Sequence, residues 1–138
     1  MPSPKVFTGV VYQNRSATML ARVVGKDFSG STVTGEGKQV QQADLSTITC
    51  AVYILSDETT AIITPAITIS AVIFNALQTP AIWTGTVDAT GYNFDHTLPI
   101  TAFPTGAKRY RVEYKFTTTG STTFTLAFEV DALRLLAS

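Results

Sequence analysis

An all-β fold, an antiparallel β-sandwich of roughly seven to nine strands, is what this sequence predicts, and three observations predict it. Residues 108–130 alternate apolar and polar side chains as one long hairpin. Shorter alternating runs recur upstream, separated by glycine, proline and aspartate turn signals. No run of residues keeps a helical period for more than a turn or two.

The hairpin is the firmest element. Tyr110, Val112, Tyr114 and Phe116 alternate with Arg109, Arg111, Glu113 and Lys115. Past a turn at Thr119, Gly120 and Ser121, Phe124, Leu126, Phe128 and Val130 alternate with Thr123, Thr125, Ala127 and Glu129. Strand side chains point to opposite faces with a period of two, so each strand has one core face and one wet face. Such a pair is the unit from which sandwiches are built.

The other elements follow in chain order. Residues 1–9 read as an extended arm, since Pro2 and Pro4 deny a helix, and residues 10–138 as a single sandwich domain. Residues 16–24 alternate as a first strand. Residues 25–43, with four glycines, read as a loop holding a short strand at 31–34. Residues 46–55 form the next strand, with Ile48, Cys50, Val52 and Ile54 inward; Asp57 and Glu58 mark a turn. Residues 61–63 and 67–74 read as β-runs broken at Pro65, and 75–80 as a connector with room for one helical turn. Residues 83–87 are strand-like, and 91–94 and 97–100 read as two short β-pieces around a loop.

Composition narrows the function classes. The chain has 138 residues, 45% apolar and 14% charged, with ten basic and ten acidic side chains and no net charge. Soluble domains usually carry about 25% charged residues, so part of the surface is expected to be covered by a partner, or kept soluble by the abundant threonines instead. Nucleic-acid binding needs clustered cations. The single basic cluster, Lys108, Arg109, Arg111 and Lys115, alternates along one strand and is interrupted by Glu113, so no nucleic-acid partner is expected. No run of eighteen apolar residues occurs and no apolar signal core follows Met1, so neither a membrane partner nor secretion is expected. Cys50, alone in the chain, has no partner for an internal disulfide and suits a reducing cytoplasm.

Candidate chemistry is sparse. A Cys50–His96 dyad would need solvent at Cys50, which its inward parity denies. Asp88, Asp95 and His96 could offer metal ligands but lack zinc or calcium spacing, and the aspartates suit turn caps. Glu113 and Glu129 fall on the wet faces of paired strands and read as a charge ladder rather than a glycosidase pair. Catalytic, cofactor and metal residues are therefore expected to be none. Trp83, Tyr92 and Phe94, with Tyr53, could form an aromatic platform for a glycan. Val6, Phe7, Leu135 and Leu136 extend apolar character past the firm strands and are the expected assembly contacts. The alternative for Val6 and Phe7 is that they open the first strand of their own domain.

Two resemblances sharpen the expectation. The Phe103-Pro104-Thr105-Gly106 turn ahead of Tyr110 resembles the tyrosine corner of immunoglobulin-like and fibronectin type III sandwiches, in which the phenol bonds a backbone group upstream; a plain core tyrosine is the alternative. The run Asp44-Leu45-Ser46-Thr47-Ile48-Thr49 is similar to the Asp-Leu-Thr-Gly-Ala-Thr-Val-Thr run in the immunoglobulin-like N-terminal domain of phage baseplate upper proteins, and Asp27-Phe28-Ser29-Gly30-Ser31-Thr32-Val33-Thr34 resembles it too. Residues 83–114, with Gly91-Tyr92-Asn93-Phe94, resemble small β-sandwich proteins encoded among phage structural genes. The resemblance implies an immunoglobulin-like antiparallel sandwich used as a virion building block, with no catalytic residues to carry over. The helical region that follows this domain in baseplate upper proteins has no counterpart here. The expected function is accordingly a non-enzymatic capsid decoration or cement protein, made in the host cytoplasm and housed in the virion. Its expected partners are other capsid or tail proteins and copies of itself, for instance in a trimer. The alternatives are a tail or baseplate adaptor and, from another class, a glycan-binding adhesion module.

Overall fold

The computed structural model describes residues 6–25, 38–57, 59–81, 85, 91–121 and 123–134. The described chain is mostly β. The strands are β1 (Val6–Tyr12), β2 (Ala17–Ala21), β3 (Val24–Gly25), β4 (Lys38–Gln39), β5 (Leu45–Ile54), β6 (Ile73–Gln78), β7 (Tyr92–Leu98), β8 (Lys108–Thr118) and β9 (Thr123–Leu133). One helical turn, α1 (Ile69–Val72), leads into β6. They form a four-stranded sheet, β1-β9-β8-β5, a three-stranded sheet, β2-β7-β6, and the small pair β3-β4.

The expected hairpin is β8 and β9. Its register sets Tyr110 opposite Val130, Val112 opposite Phe128, Tyr114 opposite Leu126 and Phe116 opposite Phe124. Seven of these eight side chains are buried and Phe124 packs against them. β5 joins the other side of β8, with Ile48, Cys50 and Val52 facing Phe116, Tyr114 and Val112. The three-stranded sheet closes the core through Phe94, whose ring meets Tyr114 edge-on at 4.8 Å and Phe116 at 5.8 Å. Edge-to-face contacts of this kind let aromatic quadrupoles attract while the rings stay close-packed.

The turn before β8 is anchored by Tyr110. Its Oη donates to the Thr105 carbonyl at 3.0 Å and accepts from the Thr105 N–H at 2.8 Å, the upstream backbone bond expected there. Gly106 follows because the turn lies close on the last strand's exit: a Cβ on it would stand 2.6 Å from Arg134 Cα.

Several boundaries depart from expectation. Residues 6–9, read as an arm, are the first half of β1, which runs parallel to β9 from Val6 opposite Ala127 to Tyr12 opposite Leu133. Backbone pairing, not side-chain alternation, makes this strand. The two β-pieces read around Asp95 and His96 are one strand, β7, because His96 turns inward and so keeps the period. The β-run read at 67–74 contains α1: Val72 and Ile73 are both buried, and consecutive strand residues would point to opposite faces. β6 then continues to Gln78 through the expected connector. The short strand read at 31–34, and most of 83–87, lie outside the described residues.

Candidate functional site

Among the described residues, Cys50 is buried, His96 is half-buried against Tyr114, and the carboxylates of β8 and β9 are held by arginine. Cys50 is buried opposite Tyr114 on β8, and burial pushes its thiol up to about 12, so it stays protonated and a poor nucleophile near neutral pH. His96 faces Tyr114, with Nδ1 2.7 Å from the phenol oxygen. Burial lowers the imidazole from its ordinary 6.5, outweighing the attraction of Asp95, and pushes the Tyr114 phenol upward. The two groups thus share a hydrogen bond with both side chains neutral. Among the described residues no three His, Cys, Asp or Glu side chains gather into a possible metal site. Asp88 lies outside them.

The wet face of β8 and β9 carries the expected ladder. Arg109 forks onto Asp131, Nε to Oδ1 at 2.8 Å and Nη2 to Oδ2 at 3.2 Å. Arg111 donates to Glu113 at 2.6 Å and to Glu129 at 2.9 Å. The guanidinium of Arg109 holds the Asp131 carboxyl below its usual range. Both glutamates are thus partnered by arginine. An open groove between the start of β5 and residues 67–70 is lined by hydroxyls such as Ser46, Thr49, Thr68 and Ser70, and by no ionisable side chain.

Of the expected aromatic platform, the described residues include Phe94, Tyr92 and Tyr53. Phe94 has no exposed surface, because its parity on β7 aims it between Tyr114 and Phe116; this removes it as a sugar-stacking face. Tyr92, two residues earlier at the start of β7, is half-buried with its ring edge-on to Phe74 at 6.3 Å. Tyr53 is half-buried on the wet face of β5. Trp83 lies outside the described residues, as do Leu135 and Leu136. Val6 and Phe7 belong, by their backbone, to the domain's own sheet.

An apolar surface does gather elsewhere. Val10 and Tyr12 of β1 are 66% and 52% exposed, and Leu133, the register partner of Tyr12, is 41% exposed. Registered residues in a parallel pair share a face, so these three side chains stand together on the wet face, at the edge of the four-stranded sheet. β1 itself, Val-Phe-Thr-Gly-Val-Val-Tyr, has neither charge nor proline. The signal was present in the sequence as an uncharged seven-residue run, but apolar residues on both parities hid its strand character.

No protein-family model, curated protein or solved structure matches the chain. Among the described residues no helix is long and apolar enough to cross a membrane.

Proposed function

We propose that the chain is a non-enzymatic structural module of a bacteriophage virion, an immunoglobulin-like sandwich serving as a capsid decoration protein, with a tail or baseplate adaptor as the second position in the same particle. The observation that carries the assembly role is β1: an uncharged edge strand beside exposed Val10, Tyr12 and Leu133. Edges that are to remain solvated normally carry lysine, proline or a bulge, and this one has none of the three.

The immunoglobulin-like assignment draws support from strand order. β5, β8 and β9 adjoin as strands C, F and G do, and β2, β7 and β6 as B, E and D do. The two hydrogen bonds between the Tyr110 hydroxyl and the Thr105 backbone include the upstream backbone bond that a tyrosine corner at the start of strand F makes. The phage assignment rests on the resemblance of residues 27–34, 44–49 and 83–114 described above. A glycan-binding role loses support with the burial of Phe94.

Mass spectrometry of purified particles, with gold-labelled antibody against this chain, tests the proposal. The chain is expected in stoichiometric amounts, with label over the head. Label confined to the tail selects the adaptor reading, and absence from the particles overturns both.

A further inference from the structure

We infer that β1 is the pairing edge for a second copy of this chain, the two β1 strands running antiparallel about a two-fold axis at Gly9 and joining two four-stranded sheets into one. The inference is independent of which particle, if any, the chain belongs to.

Gly9 is the first ground. It sits mid-strand, where glycine costs stability and forms no side-chain contact. Interior strand glycines mark a bulge, a sharp bend or the close approach of another backbone. The register from Val6 to Tyr12 is unbroken, so there is no bulge. Gly9 has no left-handed φ, and a Cβ on it would meet nothing within 4 Å. Nothing within the described chain asks for glycine here, which leaves the approach of a second backbone.

Parity supplies the second ground. Gln13 N–H bonds the Leu133 carbonyl at 2.9 Å, so residues 9, 11 and 13 direct their backbone groups to β9, while Thr8, Val10 and Tyr12 direct theirs to the open edge. In a two-fold pair centred on Gly9, Thr8 and Val10 exchange bonds with Val10 and Thr8 of the copy. Gly9 then faces its own copy as a non-hydrogen-bonded pair, the position where opposed Cα atoms come closest, about 4.5 Å. The glycine falls where side chains would crowd most.

Charge gives the third. β1 brings no charge to the contact. The nearest acids across it, Asp131 opposite Val10 and Glu129 opposite Thr8 of the copy, stand three strand spacings apart, about 14 Å. That exceeds the screening length of about 8 Å at physiological salt, and each acid already holds an arginine. A two-fold contact is self-complementary by construction, and an uncharged edge is one on which that construction meets no repulsion.

Light scattering on the eluting protein tests this. The wild type is expected at twice the 14.8 kDa of one chain. Thr8→Lys and Val10→Lys are each expected to halve that mass. Gly9→Val is expected to halve it while leaving the circular dichroism spectrum unchanged, since its side chain meets open space within the monomer. Thr49→Lys, exposed on the opposite edge strand β5, is expected to remain a dimer. A wild-type mass of one chain, or of any number other than two, overturns the inference. So does a dimer that survives Gly9→Val or is broken by Thr49→Lys.

Discussion

Asn93 sits fully buried in β7 where β2 peels away after Ala21. Its Oδ1 accepts the Val23 N–H at 2.7 Å, and its Nδ2 donates to the carbonyls of Val23 and Val40 at 3.0 and 2.9 Å. One side-chain amide thereby continues the strand pairing that the backbone abandons and ties the β3-β4 pair to the sandwich. Asn93→Asp keeps the shape but replaces the donor, setting an acceptor against two buried carbonyls. Each buried polar group left unmatched costs about 1–3 kcal/mol, so a loss of about 2–5 kcal/mol in urea unfolding is expected. A loss under 1 kcal/mol would show that the network carries no such weight. His96 gives a second residue-scale expectation. Its folded pKa lies below the ordinary 6.5, so the unfolded chain binds the proton more readily than the folded one. Stability contributed by the neutral ring is full above 6.5 and is lost as pH falls toward the depressed folded value. Unfolding free energy should therefore begin to decline as pH falls through 6.5, above the range in which Asp57 and Asp131, held below 3.8, take up protons. His96→Gln, which retains a hydrogen-bonding partner for Tyr114, should flatten that decline; an unchanged slope would contradict the assignment.

At the scale of elements, the hairpin and its anchoring turn dominate. Tyr110→Phe keeps the ring against Phe103, 5.3 Å away and edge-on, and removes only the two bonds to Thr105. A cost of about 1–2 kcal/mol is expected from equilibrium unfolding, against no measurable change for Tyr12→Phe, whose ring is half exposed. Equal effects at the two sites would contradict the corner. These elements were legible in the sequence because β8 is amphipathic at period two and β9 is too, apart from the buried Ala127, and a turn chemistry precedes Tyr110. β5 was legible for the same reason. β1 was not, because Val6, Phe7, Val10 and Val11 fall on both parities and its place is set by backbone pairing with the distant β9. β7 looked like two pieces because Asp95 and His96 are polar, and parity does not reveal that an imidazole turns inward to a phenol. Helix α1 is one turn long, too short to show a period.

For the whole molecule, the same reasoning separates what was legible about function from what was not. The ladder of Arg109, Arg111, Glu113, Glu129 and Asp131 could be read from alternation, and so could the burial of Cys50. The edge position of β1 is a property of sheet order, which no local pattern encodes, and with it comes the exposed group of Val10, Tyr12 and Leu133. On the proposed reading the chain acts through the surfaces it covers, and its core of packed aromatics holds those surfaces in place. The most direct measurement of that claim is rebinding of the purified chain to phage heads and tails prepared without it, followed by sedimentation. The account predicts saturable binding to heads at a fixed ratio to the capsid protein, weakened at least tenfold, about 1.4 kcal/mol, by Val10→Lys combined with Leu133→Lys. No sedimenting chain with either heads or tails, or binding indifferent to both lysines, would contradict it.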